Sequence, residues 1–295
     1  MMSLRQKWAC YVLAVFISIS CRVANADLIE DFDGGGSGIP FSLTNSSGGA
    51  PSIVAAGGST GSFVRLANLN GSNNNSIAWD EDPSTTGPSP FGLTLAFHFR
   101  MTDDDANAAA GGCCGSAADG LGIGLYSTAT YGTTGPVNPA TSGAVWERPA
   151  HPDAFAVGLD IFQNIDVVNL NWGGSEVANA SVQHIMDLND GVWHRMIVAL
   201  KPNGADALVD VRIIEDVQGM TSIHNVFSNQ AIVGLDLANL PNYRLIGGGR
   251  TGGAFHNGDF DNIALFPTPV PPTALLTLSG LLILAPYAWR RHKRQ

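Results

Sequence analysis

Two carboxylates and two amides crowd one stretch of this sequence. In "FAVGLDIFQNID", Phe155 to Asp166, Asp160 stands inside an apolar run, and Asn164 and Asp166 follow within six residues. Hard cations such as Ca2+ are held by several carboxylate, amide and backbone oxygens brought close together. The stretch therefore reads as a cation loop, as a strand carrying a catalytic carboxylate, or as a core strand followed by polar loop caps. A carboxylate buried without a partner on such a strand would be costly. Asp119 is a second candidate: in "ADGLGIGL" it either accepts hydrogen bonds from a ligand or opens a strand, Asp-Gly being a common turn pair. "DDD" at Asp103 to Asp105 and "HNGDFDN" from His256 to Asn262 gather acceptors in polar segments, readable as cation loops or as solvated turns. His194, beside Trp193, and His98, alternating with apolar residues in "LAFHFRM", read as structural. The sequence has no Gly-x-Ser-x-Gly, no His-Glu-x-x-His and no phosphate-binding glycine loop, so no other enzyme class has a motif behind it.

Strands and turns must hold these residues. Gly, Ser, Thr and Asn are abundant, and no window of the body sustains a helical period. Short alternating or continuous apolar runs recur instead, bounded by turn residues: "LIEDF", "SFVRLANL", "NSIAWD", "FGLTLAFHFRM", "DGLGIGLYS", "AFAVGLDIF", "DVVNLNW", "VWHRMIVALK", "ALVDVRII", "YRLIGGG" and "DFDNIALF". The hairpin is plainest where Pro202-Asn203-Gly204 supplies turn chemistry between two alternating runs. So many short strands predict an all-β sandwich of two antiparallel sheets, one jelly roll from residue 27 to 266.

The ends are of another kind. Residues 1–26 have a charged start (Arg5, Lys7), the apolar run "WACYVLAVFISIS" and a small-residue finish at Ala24-Asn25-Ala26, the order of a secretory signal peptide. Residues 267–272 are a Pro-rich linker, and 273–289 form an uncharged apolar run just long enough to span a membrane. A basic tail, 290–295, follows, which predicts a cytoplasmic end. All 25 acidic residues fall between 27 and 272, against eight of the fifteen Lys and Arg, a net of −17. So acidic a body repels phosphate backbones, which disfavours nucleic acid, and suits cations. Once Cys10 and Cys21 leave with the signal, only the adjacent pair Cys113-Cys114 remains. No disulfide framework within the chain and no CxxC metal spacing is then available.

Four segments in order resemble the concanavalin A-like superfamily, which holds the legume-type (L-type) lectins and related β-glucanases. They are "ADGLGIGL", "VGLDIFQN", "DGVWHRMIVAL…DVRI" and "LDLANLPNYRLIGGGRTGG…H", and "GDFDNIALF" fits the closing strand, pairing with "LIEDF". The resemblance implies a Ca2+ site from Asp160, the Phe162 carbonyl, Asn164 and Asp166. It implies a sugar site in which Asp119 of "ADG" and Asn164 bracket a monosaccharide, with Gly120 and the turn Gly252-Gly253 nearby. Phe162 or Trp172 would supply an aromatic platform. In the glucanases the same register carries two Glu residues as nucleophile and acid/base, and this chain has Gly158 and Gln163 there. Neither ionises, so the resemblance implies binding without cleavage. The last 27 residues resemble a PEP-CTERM sorting signal, although Val270-Pro271 is followed by Pro272 rather than Glu. An exported, surface-anchored protein that binds extracellular polysaccharide is the expectation, its C-terminal span in the membrane and an exosortase-type sorting protease as partner. A structural envelope or matrix sandwich without sugar binding is the alternative.

Overall fold

Side chains alternate between the two faces of a strand, so a period-two pattern decides which residues meet in the middle of a sandwich. The computed structural model describes residues 27–36, 38–69, 71–82, 87–102, 117–142, 144–162, 165–219 and 222–267. The strands are β1 (Asp27–Glu30), β2 (Phe41–Asn45), β3 (Ser52–Val54), β4 (Phe63–Ala67), β5 (Asn73–Trp79), β6 (Leu93–Thr102), β7 (Gly120–Ser127), β8 (Ala154–Asp160), β9 (Val167–Trp172), β10 (Ser175–Ser181), β11 (His194–Asn203), β12 (Asp206–Glu215), β13 (Ser222–Ile232), β14 (Tyr243–Thr251) and β15 (Asn257–Pro267). One sheet has the order β13-β12-β11-β6-β15-β4-β3, with β1 also on β15, and the other β10-β9-β8-β7-β14-β5-β2. Every pairing in the two sheets is antiparallel.

The expected closure is present, with Asp27 of β1 opposite Leu265 of β15. So is the hairpin β11–β12, which turns at Gly204 with φ +68°. Four strands escaped the apolar pattern: β2, β3, β10 and β13. Along β13 only Phe227 and Ile232 are buried, and along β10 no residue is. Such edge strands are held by a neighbour's backbone hydrogen bonds and need few apolar side chains of their own.

Between the sheets lie Leu121, Ile123 and Leu125 of β7, Phe155, Val157 and Leu159 of β8, and Phe97, Met196, Val198 and Phe260 from the other sheet. Phe97 and Phe260 meet edge to face at 5.4 Å. A second, smaller apolar cluster sits on the outside of the seven-stranded sheet, formed by Tyr126, Ala154, Ala156 and Ile246 beneath Ala140 and Trp146. The connection from β7 to β8, residues 128–153, makes this cluster by folding back over the sheet as a strap. It starts with the four-residue helix α1 (Thr128–Tyr131). Arg244 of β14, 1% exposed, fastens its first part by donating from Nε to Trp79 O (2.8 Å) and from Nη2 to Gly135 O (2.7 Å).

Among the described residues no helix is long and apolar enough to cross a membrane. The expected signal peptide, the Pro-rich linker apart from Pro267, which ends β15, the apolar run at 273–289 and the basic tail lie outside the described residues, as do Asp103 to Asp105 and Cys113-Cys114.

Candidate functional site

Three neighbouring strands deliver the site. Gly120 at the start of β7 is opposite Asp160 at the end of β8 on one side and Arg250 of β14 on the other. Strands sit about 4.8 Å apart, so Asp119, Asp160 and Arg250 converge on one end of the seven-stranded sheet. The backbone pins Asp119 from both sides: its N–H donates to Arg250 O (3.1 Å), and its carbonyl accepts from Ile161 N (3.0 Å). The Ala118–Asp119 peptide is cis, and the Ala118 carbonyl accepts from His256 Nδ1 at 2.7 Å. His256 is fully buried, and burial lowers its pKa to about 4, so the ring is neutral with its proton on Nδ1.

Asp119 is 7% exposed. Its Oδ2 accepts no hydrogen bond and lies 3.5 Å from Arg250 Nε. A methyl placed on Gly252 would stand 2.9 Å from the same oxygen, so the Gly252-Gly253 turn does lie against Asp119. Burial raises the Asp119 pKa, Arg250 opposes the rise and Asp160 adds to it.

The strap supplies what the sequence did not reveal. Trp146 lies flat on Gly248, where a Cβ would meet its ring at 1.9 Å, and the Glu147 carbonyl occupies the space above Gly158, 2.3 Å from a Cβ built there. Gly158 therefore does more than lack a catalytic carboxylate: the strap's backbone fills the place of any side chain. Held this way, Glu147 is 6% exposed, and its Oε1 accepts from Arg250 Nη1 at 2.8 Å. Its Oε2 is buried without a hydrogen bond. Burial, then the nearby Asp119 and Asp160 charges, lift the Glu147 pKa to about 7, against the pull of a backbone hydrogen bond and Arg250. Nothing in the pattern around Glu147 marked it; only the fold brings residue 147 to residues 119, 160 and 250.

Of the implied Ca2+ set, Asp160 is engaged by other partners and Asp166 is not. Asp160, 2% exposed, accepts from Arg148 Nε at Oδ2 (2.7 Å) and from Phe162 N at Oδ1 (2.9 Å), so both oxygens are engaged. Asp166 takes a left-handed φ of +37°, is 5% exposed, and has a buried Oδ1 with no hydrogen bond. Burial, followed by the Asp187 charge, raises its pKa to about 6. Asn164 and Gln163 lie outside the described residues. Among the described residues no three His, Cys, Asp or Glu side chains come close enough to hold a metal ion. The residue that fits a cation is Asp166, whose orphaned oxygen and neighbouring acidic charges a bound positive ion would relieve. Asp160 fits one only by giving up Arg148.

Two further expectations change. Trp172 packs against the core at the far end of β8, opposite Phe155, and lines a cavity of about 100 Å³ with Leu240 and Tyr243. It cannot be the platform for Asp119. Phe162, 37% exposed and two residues from Asp160, can be. "HNGDFDN" is the start of β15 rather than a turn, and its acceptors serve separate partners: Asp259 takes Arg65 and Arg100, and Asp261 takes Ser59. His194 is structural as expected; its Nδ1 accepts from Asp216 N (3.3 Å), so Nε2 donates to Asp190 (3.0 Å). His98 sits half-buried on the outer face of β6, beside Ser59.

Two antiparallel sheets packed face to face, with an aspartate and a glycine turn at the strand ends, define a legume-lectin-like β-sandwich. Solved structures agree. The chain resembles the VIP36 exoplasmic/lumenal domain in its Ca2+-bound form with a TM-score of 0.52 and 17% identity over 82% of this chain and 90% of that one. Peanut lectin with a 9mer peptide gives 0.52 and 14% over 82% and 96%, and the metal-free Emp46p carbohydrate recognition domain gives 0.50 and 12% over 84% and 97%. At such identities the likeness establishes the fold and leaves activity to be argued from the site. No protein-family model matches the chain, and no curated protein matches it.

Proposed function

We propose that this protein binds carbohydrate without cleaving it. The observation that carries the reading is the buried Asp119 carboxylate, held against the side-chain-free turn Gly252-Gly253 at the strand ends with an oxygen that accepts no hydrogen bond. A sugar hydroxyl supplies the missing donor, the turn Gly252-Gly253 leaves room for the ring, Asn164 donates a further bond and Phe162 offers a face for stacking, while Gly120, packed under the Leu159 carbonyl and Glu147 Cβ, serves to hold Asp119 in place. A VIP36 structure similar to this chain is a Ca2+/Man-bound form, which supports the reading.

Ca2+ belongs to this proposal, with Asp166 as its firmest ligand and Asp160, the Phe162 carbonyl and Asn164 completing the set. Bound there, it would neutralise Asp166. Export by the N-terminal signal, anchoring through 273–289, handling by an exosortase-type protease and an exopolysaccharide partner at the cell surface complete the reading. They rest on the terminal sequences alone.

A glycan array probed with and without millimolar Ca2+ tests this. Wild type is expected to bind and Asp119→Ala to be silent, and Ca2+ should raise the melting temperature of wild type as RT ln(1 + [L]/Kd) requires. Silence of the wild type under both conditions would leave the structural envelope sandwich standing instead. One observation favours a hydrolase as the second reading: Glu147 is a second carboxyl near Asp119 with the raised pKa of a general acid. Release of reducing ends from a bound glycan would establish it.

A further inference from the structure

We infer that Glu147 is a ligand-contacting residue and that, paired with Asp119, it selects glycans carrying protonated primary amines. The inference rests on the carbohydrate-binding reading above and goes on to name the class of sugar.

The hydrogen-bond inventory points that way. Asp119 Oδ2 and Glu147 Oε2 are buried within about a tenth of full exposure, and both accept nothing. Arg250 makes a single short contact, to Glu147 Oε1, and stays 3.5 Å from Asp119. Asp160 beside them is spent on Arg148 and the Phe162 N–H. The unmet demand of this carboxylate pair is thus for donors, and it lies in a place where an unsatisfied carboxylate oxygen is expensive.

Charge narrows the choice. Asp119, Glu147 and Asp160 together face Arg148 and Arg250, so one negative charge is in excess once Glu147 gives up its proton, and a cation bound beside it favours that release. A sugar hydroxyl brings one donor and no charge. An ammonium brings three donors, no acceptor and a full positive charge, and its bonds to carboxylates are of the stronger, charge-assisted kind. An N-acetyl group removes that charge, and a uronic acid would be repelled. The chain's net charge of −10 draws cationic chains towards it from a distance. Arg250, whose side chain is 34% exposed, stands between the two carboxylates and solvent, so an ammonium reaches them by displacing it.

The strap gives the pair its permanence. Glu147 is no surface side chain that happens to swing in, because its own carbonyl is seated over Gly158 and accepts from Asn169 Nδ2 at 3.0 Å.

Titration calorimetry of the whole protein at about pH 6.5 tests this with β-linked glucosamine oligomers, their N-acetylated counterparts and a neutral glucan of equal length. Wild type should bind the amines about tenfold tighter than either, equivalent to about 1.4 kcal/mol, and Glu147→Gln should bring that ratio within about twofold. Neutral or N-acetylated chains binding as tightly as the amines would overturn the inference while leaving carbohydrate binding intact. A preference undiminished in Glu147→Gln would overturn it too, and so would no binding to any of the three, whereas the glycan array decides carbohydrate binding itself. Should Glu147→Gln fail to melt cooperatively, the wild-type comparison decides by itself.

Discussion

Placing a single methyl on Gly158 probes whether the strap truly occupies the sheet face. An alanine Cβ there would stand 2.3 Å from Glu147 O, 2.8 Å from Glu147 C and 2.6 Å from Pro149 Cδ, and two of those three atoms are backbone. Ordinary carbon contacts lie near 3.5 Å or beyond, so the strap must lift by about 1 Å. Lifting it draws Trp146, fully buried and flat on Gly248, off its seat. Overpacking of this kind costs about 1–3 kcal/mol, and losing the Trp146 contact approaches the about 3–5 kcal/mol of a buried aromatic truncation. We expect Gly158→Ala to lose about 3 kcal/mol, a melting temperature lower by about 6–12 °C for a domain of this size. Differential scanning calorimetry reads it directly. Gly158→Glu, which restores the glucanase carboxylate at that position, should be less stable still and should release no sugar from β-glucans. A Gly158→Ala protein melting within about 1 °C of wild type would refute the packing argument, and with it the claim that the strap presents Glu147 rigidly.

Glu147 should also destabilise the protein as the pH rises. Its folded pKa of about 7 stands above that of the unfolded chain, so the fold holds a proton that the unfolded chain releases, and stability falls between about pH 4.5 and 7. Half-buried His98 and the buried His151 and His256, lowered to about 4 mainly by desolvation, act in the opposite sense up to about pH 6.5. The readout is therefore the difference from Glu147→Gln in urea melts: the variant should gain on wild type by up to about 3 kcal/mol between pH 4 and 8, and a pH-independent difference would count against the burial of this carboxyl. Arg244→Ala should lose about 3 kcal/mol or more in the same melts, because the Trp79 and Gly135 carbonyls lose their donor in the interior. Arg244→Lys should fail to restore it, an ammonium lacking the planar fork that reaches both.

The central strands were legible because each buries one face or both. "FAVGLDIF", "GLGIGLYS" and "HRMIVALK" carry their apolar period openly, and the closing pairing of β1 with β15 followed from the family-like order of segments. Edge strands β10 and β13 were not legible, since they answer to a neighbour's backbone rather than to a core. At the site, Asp119 and Gly252 were named from motif and do lie against each other. The Ca2+ set was named with equal ease, yet Asp160 is bound to Arg148, a residue that had counted only as one of eight positive charges.

By itself, the sequence determined that the chain is a two-sheet sandwich, that position 158 carries no ionisable group, and that an acidic body surrounds Asp119 and Asp160. These are local properties, carried by residue type, alternation and composition. Only the tertiary structure decided that residues 146–149 fill the face left bare by glycines, that Glu147 joins Asp119 across Arg250, and that Trp172 belongs to the far end of the sheet. Those facts depend on where a 26-residue connection lands, and chain separations of about 30 to 100 residues leave no periodic trace from which such a landing could be read.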